Sequence, residues 1–148
     1  MHLKLLEDAL ELPPPWYVDR AGIDKESSTI ALHLDFERGG TFECSSCGAT
    51  GRKAYDTQLK RWRHLDLFEH RTELYAPSPR VACPACGVRQ ASLPWARPRI
   101  GLTIRFEEHV MRLAAEMPVR AAARLVGEHD TRLWRVVHHY SDDDEADP

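Results

Sequence analysis

The chain has 148 residues, 43% hydrophobic, 29% charged and 8% aromatic. That length suits one domain or two small ones and excludes a large enzyme barrel or a doubly wound nucleotide-binding fold with a separate substrate domain. The formal net charge of −3 hides a division: residues 44–105 hold 11 basic and 4 acidic side chains, whereas residues 1–43 hold 4 and 9, and a local basic patch attracts phosphate even on an acidic molecule.

No stretch of about 18 apolar residues offers a transmembrane helix. The first run, M-H-L-K-L-L-E-D-A-L-E-L, has acids among its leucines and no small-residue cleavage site, so it does not read as a signal peptide. A cytosolic location follows, where thiols are kept reduced and disulfides are rare. Residues 3–11 put Leu3, Leu6 and Leu10 on one helical face. Pro13, Pro14 and Pro15 end that helix. From Trp16 the pattern becomes short alternating runs, two strands around the polar turn Asp24 to Ser28. In the second strand Ile30, Leu32, Leu34 and Phe36 alternate with Ala31, His33, Asp35 and Glu37, so one face is expected to be buried and His33 solvated.

All four cysteines fall in two pairs, C-S-S-C-G at Cys44 and Cys47 and C-P-A-C-G at Cys83 and Cys86, with 35 residues between them. Two residues between thiolates let the chain turn so that both sulfurs face one centre. The following Gly48 and Gly87 permit the left-handed backbone of such a knuckle. Two knuckles together supply a closed tetrahedral sulfur set, expected to hold one structural Zn2+ per chain. The competing readings are an iron–sulfur centre, a redox C-x-x-C, which would be one pair near a βαβ pattern, and structural disulfides, which need an oxidising compartment.

Between the pairs, R-W-R-H-L-D-L-F and E-H-R-T-E-L-Y-A read as a second hairpin, followed by a short strand, R-V-A. This interval interleaves Arg52, Lys53, Lys60, Arg61, Arg63 and His64 with Tyr55 and Trp62, and Arg71, Arg80, Arg89, Arg97 and Arg99 follow. Such a set can hold a phosphate backbone, with Arg61 and Arg63 as the candidate contacts. The bland alternative is a solvated strand face with Trp62 filling a small core. His64 and His70 read as surface or phosphate-contacting residues, since four cysteines already complete the metal set.

After Pro98 the composition turns helical. Phe106, Val110, Leu113, Ala114 and Met117 share a stripe, with Thr103 as a cap. Pro118 opens a short second helix that Gly127 ends, and Asp130 caps a third, T-R-L-W-R-V-V-H-H-Y. Helix, short glycine turn and capped helix is the helix-turn-helix arrangement. Ala122 or Ala123 suits the crossing, and Leu125, Leu133 and Val136 or Val137 the buried contacts. Thr131, Arg132, Arg135 and His138 are then left for a major groove. An ordinary three-helix bundle is the bland alternative. The chain thus reads as α+β: a β-rich zinc-ribbon-like domain over 1–100 with a short N-terminal helix, a three-helix helix-turn-helix domain over 101–140, and a disordered acidic tail over 141–148.

The order C-x-x-C-G, R-W-R-H-L-D, R-V-A-C-P-A-C-G-V-R-Q, L-P-W-A-R-P and A-A-A-R-L-V-G-E-H-D-T-R-L-W-R-V resembles the N-terminal part of ISL-three-type insertion-sequence transposases. In that family a zinc-binding domain and a helix-turn-helix precede a DDE-type catalytic domain of RNase H-like fold. The resemblance covers about residues 5–140. It implies Cys44, Cys47, Cys83 and Cys86 as zinc ligands, residues 130–139 as the recognition helix, and double-stranded DNA at the terminal inverted repeats of a bacterial mobile element as the partner. A second copy of the chain is a further candidate partner, no membrane is expected, and the location would be cytoplasmic, on the nucleoid.

The family's catalytic domain would follow the last helix, where this sequence has only Asp142, Asp143, Asp144, Glu145 and Asp147. Adjacent acids on a tail are not a DDE triad, which needs distant carboxylates around two metal ions. The chain is therefore expected to be no enzyme itself, but a truncated transposase, a remnant or its DNA-binding half. A stand-alone transcriptional regulator and a zinc-ribbon adaptor for a protein partner are the competing functions.

Overall fold

Helical leucine spacing forms α1 (His2–Leu10), whose Leu3, Leu6 and Leu10 pack on the core while Leu5 faces solvent. The computed structural model describes residues 2–146 and divides them between two units, Met1–Thr103 and Ile104–Pro148.

The first unit is a sheet built from β1 (Trp16–Asp24), β2 (Thr29–Phe36), β3 (Thr41–Phe42), β4 (Arg52–Leu67), β5 (His70–Cys83) and β6 (Gly87–Gln90), in the order β1-β2-β5-β4-β3 with β6 also on β5. The alternation in β2 buries Leu32 and Leu34 as expected. His33 is half-buried rather than solvated, stacked on Tyr75 with ring centroids 5.0 Å apart, because β2 lies parallel to β5 and sets the two rings side by side.

The second hairpin is longer than its sequence suggests. β4 and β5 run unbroken through the basic interval, joined at Phe68 and Glu69, whose φ angles of 50° and 67° are those of a type I′ turn. The separate strand expected at R-V-A is the end of β5. Pro77 and Pro79 interrupt the sequence pattern but not the strand. Pairing with β2 stops at Tyr75 and pairing with β6 begins at Arg80, so the prolines sit where that edge of β5 carries no strand. Trp16, Phe36, Phe42, Trp62 and Trp95 meet edge to face at the centre of this unit, with centroids 4.6–5.8 Å apart.

The segment after residue 100 stays with the sheet. Arg63 N–H donates to Gly101 O at 2.8 Å and Thr103 N–H to Arg63 O at 2.9 Å, a bridge along β4. Thr103 Oγ1 shares a 2.8 Å hydrogen bond with His64 Nδ1.

The second unit holds α2 (Ile104–Glu116), α3 (Val119–Val126) and α4 (Asp130–Ala146), which pack pairwise. Buried residues include Phe106, Val110, Val119, Ala122, Ala123, Leu133 and Val136. Leu125, expected in the core, is 65% exposed: α3 buries positions 119, 122 and 123, and two residues on from Ala123 is about 200° around the helix. The acidic segment expected to be disordered is helical through Ala146, since no glycine or proline stands between Tyr140 and Ala146 and each added residue extends the hydrogen-bond ladder. Positions 147 and 148 of that segment lie outside the described residues.

Candidate metal centre and nucleic-acid interface

The β4–β5 hairpin decides the metal centre. It leaves the first knuckle at Arg52 and returns antiparallel to enter the second at Cys83, with Ala54 opposite Val81. The 35 intervening residues therefore fold out and back, bringing both cysteine pairs to one end. Cys44 bridges to Ala91, and Ser45 N–H donates to Gln90 O at 3.1 Å, tying the knuckles together. Gly48 and Gly87 have φ of 77° and 82°, the left-handed conformation expected after each pair.

The four sulfurs of Cys44, Cys47, Cys83 and Cys86 all lie within 4.8 Å of one another, and none is in a disulfide. Four sulfurs at about 2.3 Å from a tetrahedral ion would be under 4 Å apart, so this donor set suits one zinc ion and leaves it no open position. Such an ion would supply cross-linking rather than chemistry.

The knuckles prepare their sulfurs as ligands. The backbone N–H groups of Cys47 and Ser46 hold the Cys44 thiol below its ordinary value. Those of Cys86 and Ala85 bring Cys83 down to about 7. Cys86 is pushed up to about 12 by the Cys47 sulfur and by burial, since adjacent sulfurs cannot all carry charge without a cation.

The basic residues of β4 differ in exposure. Arg61 is 71% exposed in its side chain and reaches Glu73 Oε2 only at 3.8 Å. Arg63, expected to contact phosphate, is 4% exposed, with Nη2 donating to Asp66 Oδ1 at 2.8 Å and Nε to His64 O at 3.2 Å. It is a structural cation. His64, also expected at the surface, is 6% exposed beside Thr103. Both corrections have one cause: the 101–103 segment pairs along β4 at this point, which the sequence pattern of β4 cannot announce.

On α4, Thr131, Arg135 and His138 are exposed along one stripe. Arg132 stands apart, half-buried and paired with Glu128 Oε2 at 3.2 Å. The stripe also carries Trp134, 46% exposed with its ring 5.6 Å from His138. Sequence reading passed over it, although its place three residues after Thr131 puts it on that face. The approach to α4 is a tight turn. Gly127, at φ 73°, caps α3 by donating its N–H to Ala123 O, and Asp130 accepts the Thr131 N–H at 3.0 Å in the first turn of α4.

Residues 91–141 match the family described as the helix-turn-helix domain of transposase family ISL3, and residues 41–86 match the zinc-finger of transposase IS204/IS1001/IS1096/IS1165. Two consecutive regions of the chain are thus similar to the zinc-finger and helix-turn-helix domains of these transposases.

It is similar to the transposase for insertion sequence element IS1557 of Mycobacterium tuberculosis, 38% identical over 99 residues that take in 60% of this chain and 22% of that protein. It is also similar to the transposase for insertion sequence element IS1001 of Bordetella parapertussis, 34% identical over 82 residues, 55% of this chain and 20% of that one. The chain thus spans about a fifth of the length of these relatives. No solved structure matches it. Among the described residues, no helix is long and apolar enough to cross a membrane.

Proposed function

We propose that this chain binds the terminal inverted repeats of a bacterial mobile element, with α4 as the recognition helix and the β-rich unit gripping phosphates. The observation that carries the reading is the α4 stripe: Thr131, Trp134, Arg135 and His138 face outward directly after the turn at Gly127, in a matched helix-turn-helix region. A guanidinium at Arg135 can donate two hydrogen bonds to a guanine edge. Trp134 offers apolar surface to a thymine methyl or a sugar. Arg61 supplies phosphate contact, and Arg63 is withdrawn from that role by its burial. Zinc holds the β-rich unit in shape and takes no part in chemistry, so the chain contributes binding to transposition. It works on the nucleoid, and a second copy would occupy the other end of the element.

Selection of binding sites from random duplex DNA, followed by salt titration against the selected and a scrambled duplex, tests the reading. The expected result is a selected sequence that recurs in inverted orientation at the ends of the parent element. Equal affinity for selected and scrambled duplexes would sink it.

A further inference from the structure

In the first unit, a cleft of about 290 Å³ opens between the outer edge of β4 and residues 90–101. Its lining includes four cationic side chains, Lys60, Arg61, Arg97 and Arg99, and no carboxylate, with Trp62 and Leu93 among its apolar walls. Two of these cations come from one β-turn, Arg97–Pro98–Arg99–Ile100, closed by the Ile100 N–H donating to Arg97 O. Proline in its second position is ordinary. The third position, Arg99, has a φ of 66°. A turn of that kind calls for glycine or asparagine there, because a larger side chain is strained in the left-handed conformation. The chain therefore holds an arginine, at a cost, in the lining of a cationic cleft.

We infer that this cleft is a second DNA contact, a phosphate site that takes the duplex backbone on Lys60, Arg61, Arg97 and Arg99. Four cationic residues lining one concavity attract an anion more than the same charges dispersed, and Arg61, whose nearest carboxylate oxygen on Glu73 is 3.8 Å away, keeps a 71% exposed side chain for it. The phosphodiester is the anion that the proposed function supplies, and the inference rests on that reading. The site lies on the sheet and involves nothing of α4, so it grips DNA without choosing sequence.

The test uses Arg99→Gly, Arg99→Lys and Lys60→Ala in the full chain loaded with zinc. Glycine suits the left-handed turn, so the fold survives and the melting temperature is held or raised. Arg99→Gly and Lys60→Ala should each weaken binding to cognate and scrambled duplexes alike, roughly fivefold to tenfold at 0.1 M salt, and lower the salt slope by about one. Arg99→Lys keeps the charge and should restore most of the affinity.

Sodium tripolyphosphate, followed by tryptophan fluorescence, probes the cleft without DNA. The native chain should bind it and Arg99→Gly should not. If the native chain binds tripolyphosphate in this way but no duplex, the phosphate site stands while its assignment to DNA and the proposed function both fall. If duplex and tripolyphosphate bind Arg99→Gly as well as they bind the native chain, the cleft is overturned and the α4 reading is untouched.

Discussion

Cys47 Sγ lies 3.5 Å from Cys83 Sγ although 36 positions separate them. Nothing local holds these sulfurs together: the approach is made by the antiparallel return of β5 along β4, and a zinc ion would lock it. The first prediction follows. Pure protein should contain one zinc per chain, and Cys44→Ser or Cys83→Ser should abolish metal binding and cooperative unfolding of the first unit. Metal-site free energies of about 10 kcal/mol or more are comparable to the whole stability of a small domain, about 5–15 kcal/mol. Elemental analysis finding neither zinc nor iron in a folded protein with four titratable thiols would refute this.

Zinc affinity should rise with pH. Cys86, pushed up to about 12, is protonated at neutral pH and must lose its proton to become a ligand. Cys83, at about 7, adds a second displaced proton as the pH falls below that value. A plot of the logarithm of zinc affinity against pH should therefore have a slope of at least one between pH 6 and 8 and steepen at the acid end. Competition with a chelator of known affinity measures it, and a flat profile would contradict the sulfur assignment.

Arg63→Ala should damage the fold and spare the salt dependence of DNA binding. The change removes a buried guanidinium bonded to Asp66 and to His64 O. Because Asp66 is 41% exposed and can recover water, the loss should be about 1–3 kcal/mol rather than the larger cost of a fully buried pair. Thermal unfolding should show a melting temperature several degrees lower. A normal melting temperature with a flattened salt slope would return Arg63 to the phosphate contacts.

Arg135→Ala and Arg61→Ala should separate base reading from phosphate contact. The first should weaken binding to the selected duplex more than to a scrambled one, by about 1–3 kcal/mol of discrimination. The second should weaken both equally and flatten the salt slope. Equal losses on both duplexes for Arg135→Ala would make α4 a phosphate contact or plain scaffold.

The sequence by itself determined what depends on short spacing. Two cysteines three apart followed by glycine specify a knuckle, because the turn and the left-handed residue are local requirements, and Gly48 and Gly87 meet them. Gly127 and Asp130 likewise mark where α3 stops and α4 begins. Tertiary structure alone decided which charges are available. Arg61 and Arg63 sit two apart in one alternating run, and period two puts them on the same face of β4, yet one is exposed and the other buried. The difference is made by Gly101–Thr103, some forty residues on, which pairs with β4 at Arg63 and not at Arg61. The continuity of β5 through Pro77 and Pro79 has the same origin, since a proline is tolerated wherever its missing N–H has no strand to answer, and only the assembled sheet fixes where that is.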